Sequence, residues 1–303
     1  QGIVDWNKSR YLPELDKWEW GLLEWDKTIN SLACGVRCAA KVTTVSPGYL
    51  GELKYGANGL ELLFEFEKGK CVGILNGIDD DIWDPATDTY ITDKFSVDDA
   101  NVGKTANKKV LCNQFGLDEE KPLIIFIGRL VGEKAADLLP QAIADSIYYI
   151  NGEMNFLILG SGDPYVEHQL QQMNGRFVGF YNSQIGYNEK LAHQMYAGAD
   201  FLLMPSRVEP CGLNQMYAMR YGTIPMVRNT GGLRDTVQDF GDEGGYGICF
   251  NQASVGDITN SVYRAIQLYS QKKKTGDIRK QIMQIDNSWK NSAEKYIELY
   301  ESI

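Results

Sequence analysis

From residue 122 to residue 250 the chain repeats one unit: a short apolar run, a polar or glycine-bearing turn, then a stretch of helical period. The runs PLIIFIGRL, NFLILGSGD, RFVGF, DFLLMPS, TIPMV and GICF read as six strands, with helices expected between them at 134–150, 164–173, 188–197, 212–221 and 232–240. Several of these strands are apolar on both faces, which calls for a parallel sheet covered by helices on either side. Right-handed crossovers then bring every strand C-terminus, with its following loop, to one edge. The expected fold is α/β, a Rossmann-like, doubly wound parallel sheet closed by helices at 257–270, 277–284 and 288–301.

The pattern is looser before residue 122. A helix is expected over 28–41, burying Ile29, Leu32, Ala33, Val36 and Ala40, then a strand Val42–Val45 stopped by Pro47. GYLGEL opens a further helix, and CVGILNG is a strand ending in Asn76-Gly77. The acidic loop DDDIWDPATDTYI, from Asp79, has neither period and marks the expected domain boundary, ahead of a helix near 99–115. At the start, NKSRYLPELDKWEWGLLEW reads as a long, lid-like loop.

Bulk composition narrows the function classes. A formal charge of −10, from 30 basic and 40 acidic residues, argues against a nucleic-acid surface, and Lys272 to Lys274 read as a solvated face. No run approaches the ~18 apolar residues of a membrane span. Six scattered cysteines suit a reduced, cytoplasmic protein, with Cys34 and Cys38 expected to pack inside a helix.

Four loops meet at the sheet edge. The first carries Arg129, just past a strand, and Lys134, expected to open the next helix, where a cation opposes the helix dipole unless an anion lies between. A solvated lysine and a capping arginine are the plainer alternative. The second, Gly160-Ser161-Gly162, lacks the third glycine of a dinucleotide fingerprint, which counts against a nicotinamide dehydrogenase. The third and fourth, Gly212-Leu213-Asn214 and Gly231-Gly232-Leu233, begin helices and offer backbone N–H groups to an anion. With Arg129 and Lys134 they supply four sources of donors for two phosphates, so a diphosphate leaving group is expected here without a metal. A generic anion site or purely structural turns are the rivals. Glu209, fixed by Pro210, is placed to reach a sugar hydroxyl or ring face; a surface acid is the bland alternative.

GRLVGEK, QIGYNE, PSRVEPCGLNQMYAMRYGTIPMVRNTGGLRDTV, TTVSPGYLGEL and LNGIDDDIWDP resemble the bacterial glycogen synthases and plant starch synthases, retaining glycosyltransferases of the GT-B fold. The resemblance runs from Thr28 to the end. It implies that Arg129 and Lys134 hold the donor diphosphate and that Glu209 stands beside the donor glucose. It further implies that Cys211, Gly212, Leu213, Thr230 and Gly231 bind the donor through their backbones, that Tyr187 stacks on the base, and that Asn76 sits on the hinge side of the cleft. The activity implied is transfer of glucose from ADP-glucose, or alternatively UDP-glucose, to an α-1,4-glucan, with no cofactor. The domains follow: 1–76 as the remnant of an acceptor-side domain, 77–285 as the complete donor-binding domain, and 286–303 as a helix crossing back.

Departures from the family pattern also bear on function. The family's Lys-Thr-Gly-Gly-Leu loop and cleft histidine are absent, and QGI resembles the sequence that follows that histidine region. The 303-residue chain is therefore expected to lack the N-terminal half needed for transfer and to bind nucleotide without transferring glucose. His168 and His193 match no family site; His193 reads as a packed or half-exposed helix residue. Ala135 stands where the family has glycine, and Tyr217 where sucrose- and lipid-directed relatives carry a second glutamate. Rival functions are a metal-dependent transferase using Asp79-Asp80-Asp81 and a non-catalytic sugar-binding domain.

Overall fold

The computed structural model describes residues 3–4 and 21–303; most of the lid-like stretch lies outside the described residues. The chain opens with β1 (Ile3–Val4), β2 (Glu24–Trp25) and β3 (Thr28–Asn30), an antiparallel sheet of order β1-β3-β2. Asn30 ends β3 and caps α1 (Ser31–Cys38), its side chain accepting from Ala33 N at 3.1 Å. The expected 28–41 helix is thus shorter, because Thr28 to Asn30 pair as a strand. Cys34 is half-buried and Cys38 exposed, so this pair does not pack inside as expected. β4 (Val42–Thr44), α2 (Pro47–Glu52), α3 (Glu61–Phe66) and β5 (Cys71–Gly73) follow, with β4 and β5 paired in parallel. Ser46 caps α2 and Pro47 fills its first turn, where the missing N–H costs nothing. Ala33, Val36, Leu53, Ala57, Leu60 and Leu63 form a core of their own.

The remainder is built on six parallel strands. α4 (Ala100–Phe115) leads to β6 (Leu123–Leu130), α5 (Leu139–Tyr149), β7 (Asn155–Gly162), α6 (Pro164–Arg176), β8 (Tyr181–Ile185), α7 (Glu189–Gly198), β9 (Phe201–Met204), α8 (Asn214–Arg220), β10 (Ile224–Arg228), α9 (Gly231–Thr236), β11 (Ile248–Phe250), α10 (Val255–Ser270), α11 (Lys272–Met283) and α12 (Trp289–Glu301). Strand order is β11-β10-β9-β6-β7-β8. One core lies between the sheet and α5, α6, α10 and α11; the other packs α4 and α7 on the opposite face. All six C-termini therefore reach one edge, as the alternation requires. Lys272 to Lys274 open α11 and are exposed.

The acidic loop is a strap over this domain. Trp83 stacks between His193, at 3.8 Å, and Tyr217, at 4.0 Å. Asp88 binds His193 Nδ1 at 2.7 Å and accepts from Tyr221 OH at 2.5 Å, and Arg220 pairs with Asp84 at 2.8 Å. His193 is only 1% exposed, so its half-exposed reading is excluded. Burial raises the Asp88 carboxyl, but the hydrogen bonds from His193 and Tyr221 outweigh it and leave the group below its ordinary value. Because Trp83 is half-buried, Trp83→Ala is expected to cost about 2 kcal/mol, somewhat below a fully buried ring. A lower urea midpoint, with earlier proteolysis within 79–97, checks this.

Candidate functional site

Backbone meets backbone where β6 and β7 end. A Cβ on Gly160 would lie 2.0 Å from Gly128 O, so a side chain here would force the strands apart. Beyond this contact Arg129 stands opposite Ser161, and a hollow of about 230 Å³ opens, lined by Gly128, Arg129, Gly160, Tyr187 and Asn214. Tyr187 is 86% exposed, its ring free to take a flat partner. The Arg129 guanidinium faces solvent and pairs with Glu133 at 3.1 Å. An exposed pair of this kind contributes little, so Arg129 is available to a stronger anion.

Lys134 departs from expectation. It ends a 3-10 turn (Gly132–Lys134), and α5 begins only at Leu139. The cause is Ala135, whose φ of 53° is left-handed and interrupts any helix from 134. For a residue with a Cβ this conformation costs roughly 1–2 kcal/mol. Lys134 thus opposes no helix dipole. Its ammonium instead pairs with Glu209 Oε2, and Ser206 Oγ donates to the same oxygen at 3.0 Å. The Glu209 side chain is 7% exposed and that of Lys134 23%. The two loops are stapled together: Arg207 N donates to Glu133 O at 2.8 Å, and the Arg207 guanidinium binds Asp137 at 2.6 and 2.8 Å.

Cys211 is buried, and Gly212 takes φ 75°, a turn that glycine permits. α8 begins at Asn214, two residues later than expected. Among the described residues, no acceptor stands on the N–H of Gly212 or Leu213. Burial raises the Cys211 thiol, opposed by the backbone N–H of Asn76, which places Asn76 beside this turn.

The α9 turn differs. Its N–H groups are already taken: Gly231 N donates to Glu52 Oε1 at 2.8 Å, and Gly232 N to Glu209 O at 3.1 Å. Thr230 Oγ1 and Arg234 also bind Glu52 Oε1, at 3.0 and 3.2 Å. Of the two turns read as phosphate-facing, one has open donors and the other holds a carboxylate of this chain. The structure therefore brings Lys134, Glu209 and Ser206 into contact, sets Cys211 by Asn76, and places Arg129 and Tyr187 along one hollow. Arg129 and Lys134 do not share a partner. Asp79 caps its own turn, accepting from Asp81 N and Ile82 N, each at 3.1 Å.

Residues 107–281 match the family described as Glycosyl transferases group 1, and residues 1–65 match the Starch synthase catalytic domain. The glycogen synthase of Flavobacterium johnsoniae is 56% identical over all 303 residues, which span 64% of that protein. The glycogen synthase of Rhodospirillum rubrum is 41% identical over 286 residues, covering 93% of this chain and 58% of that protein. Among solved structures, the catalytic domain of starch synthase IV from Arabidopsis thaliana, bound to ADP and acarbose, superimposes with a TM-score of 0.84 at 35% identity. It covers 92% of this chain and 59% of the other. The chain thus spans under two thirds of the length of these relatives.

Proposed function

Because the chain belongs to the group 1 glycosyl transferases, related to the glycogen and starch synthases and sharing their GT-B-like α/β fold, we propose that it forms the donor side of a glucan synthase. The whole protein transfers glucose with retention from ADP-glucose to the non-reducing end of an α-1,4-glucan. The observation that carries this reading is the pairing of half-buried Lys134 with buried Glu209, beside the open N–H groups of Gly212 and Leu213. A relative solved with ADP supports the adenine nucleotide. UDP-glucose is the second reading, since the open Tyr187 ring stacks on either base with little discrimination.

The chemistry follows from charge. The diphosphate gains negative charge as it leaves, and donors fixed beforehand stabilise that change most effectively. Gly212 N, Leu213 N and Arg129 supply three of them. Lys134 supplies the fourth by moving part of its interaction from Glu209 to a phosphate oxygen, while Glu209 turns to the sugar hydroxyls and to the positive charge growing at the anomeric carbon. Glu209 lies on the phosphate side, so the acceptor attacks the face the diphosphate leaves, and the diphosphate takes its proton. A nucleophile in a double displacement would need the opposite face. The 303-residue chain alone binds nucleotide and transfers no glucose. Its six unpaired thiols support a cytoplasmic setting.

The test is Lys134→Ala in the complete enzyme, with ADP-glucose and UDP-glucose compared side by side. A kcat fall of about 10²-fold with KM little changed is expected, the scale for losing one contact to developing charge. A rise in KM at constant kcat would mean ordinary binding and would refute the assignment. A strong preference for UDP-glucose would move the proposal to the second donor.

A further inference from the structure

We propose that residues 46–52 form a clamp that positions the Glu209 turn, with Glu52 as its principal positioning residue; this deepens the glucan synthase reading and rests on it. The segment grips the Glu209 turn once and the adjoining α9 loop twice. Ser46 Oγ donates to Pro210 O at 2.6 Å, Gly48 N donates to Asp235 Oδ2 at 2.7 Å, and Glu52 Oε1 accepts from Gly231 N at 2.8 Å and Thr230 Oγ1 at 3.0 Å. All three join residues at least 164 positions apart in the chain, so the 46–52 segment and the α9 loop fix one another.

The contact reaches Glu209 through main chain alone. Gly231 has φ 44°, and a Cβ there would lie 2.0 Å from Glu209 O; on Gly232 it would lie 2.2 Å from Cys211 O. The first turn of α9 is therefore pressed onto residues 209–211, and Gly232 N holds Glu209 O at 3.1 Å. On the other side a Cβ on Gly48 would lie 2.4 Å from Gly231 O. Glu52 thus fixes Gly231, the adjoining Gly232 fixes the Glu209 backbone, and no flexible side chain intervenes beyond Glu52 itself. The Arg234 pair adds little, since its side chain is 51% exposed. A loosened Gly231 lets the Glu209 carboxylate drift from the sugar, and misplacement by about 1 Å costs up to roughly 10²-fold in rate.

The contact has an opposite reading with an opposite result. If the donor phosphate belongs on the α9 N–H groups, Glu52 competes with it, and removing Glu52 tightens nucleotide binding. The experiment measures kcat, KM and ADP affinity for Glu52→Ala, Glu52→Gln and Ser46→Ala in the complete enzyme, with amide hydrogen exchange at Gly231 and Gly232. Expected for Glu52→Ala are a kcat roughly 10- to 100-fold lower, ADP affinity within about twofold, and faster exchange at both glycines. Glu52→Gln keeps an oxygen for Gly231 N and Thr230 Oγ1 and is expected to restore most of the rate. Ser46→Ala, which removes the bond to Pro210 O together with the α2 cap on Tyr49 N, is expected to lower kcat several-fold, and it decides the matter should Glu52→Ala fail to fold. Unchanged kcat in Glu52→Ala or in Ser46→Ala, tighter ADP binding, or a glutamine no better than alanine would each overturn the clamp. If wild-type protein transfers no glucose from any nucleotide sugar, the functional reading fails, while exchange at Gly231 and Gly232 still tests the positioning.

Discussion

Glu209→Gln is expected to slow glucose transfer by about 10³-fold while nucleotide affinity stays nearly unchanged. The substitution keeps shape and removes charge. Glu209 is 6% exposed, and its Oε2 carries both the Lys134 ammonium and the Ser206 hydroxyl. A buried carboxylate acts in low dielectric, where its field on a developing cation is far stronger than in water. The amide gives that field up. On the proposed reading the nucleotide is held elsewhere, by Gly212 N, Leu213 N, Arg129 and the Tyr187 ring, and Lys134 loses a competitor for the phosphate. Steady-state kinetics with separate ADP titrations check the split, and a matching loss of affinity would place Glu209 in ordinary binding. A fluorinated donor distinguishes the routes to retention: a glucosyl adduct on Glu209, found by peptide mass spectrometry, would contradict same-face attack.

Asp200→Ala is expected to lower stability by about 3–5 kcal/mol, the scale for removing one partner of a buried charge cluster. Asp200 lies just before β9, on the edge away from Glu209, and is 3% exposed. Its carboxylate binds Lys108 Nζ at 2.8 Å, the Arg279 guanidinium, and Leu123 N at 2.9 Å. Lys104, also buried, lies close by and is held by Tyr196 O, Ala197 O, Tyr221 O and Thr223 Oγ1 at 2.7–3.1 Å. Alanine would leave Lys108 and Arg279 buried beside one another without a counter-charge. Urea unfolding should show a lower midpoint. The cluster also sets an acid limit. Burial raises the Asp200 carboxyl, but Lys108 and Arg279 outweigh it, so the folded pKa lies below the ordinary value. A depressed pKa contributes stability above the unfolded value, about 3.9, and loses it as pH falls through the folded value. Asp200→Ala should therefore flatten the acid side of the stability profile.

The sheet was legible where it is central. β6, β7 and β9 are apolar on both faces, and no other arrangement buries them. The edge strand was misplaced: RFVGF reads as β8, yet β8 is Tyr181–Ile185, with Tyr181 and Ser183 buried and Asn182 and Gln184 half-buried. Phe177 instead caps α6, Val178 is 74% exposed, and Gly179 turns the chain at φ 87°. A half-covered strand carries a weaker apolar signal than the turn before it. In the site, strand-end logic singled out Lys134 and Glu209 separately, 75 residues apart, and the structure adds their direct contact and Ser206. Glu52 could not have been found this way, because a helix-end carboxylate has no local mark of a partner some 180 residues on. The strap was opaque for a related reason: its order comes from Trp83 stacking on His193 and Tyr217, with no periodic ladder to leave a pattern.

The Lys134–Glu209 pair is self-neutral, one charge offsetting the other. A lone phosphate or sulfate gains Lys134 only by stripping Glu209 of its counter-charge, and Glu209 is tethered at a high effective concentration that a dilute ion cannot match. A nucleotide sugar meets no such obstacle. On the proposed reading its phosphate takes the ammonium while its hydroxyls occupy the carboxylate it freed, so both halves of the pair are satisfied at once. On that reading the pair itself discriminates a nucleotide sugar from a simple anion.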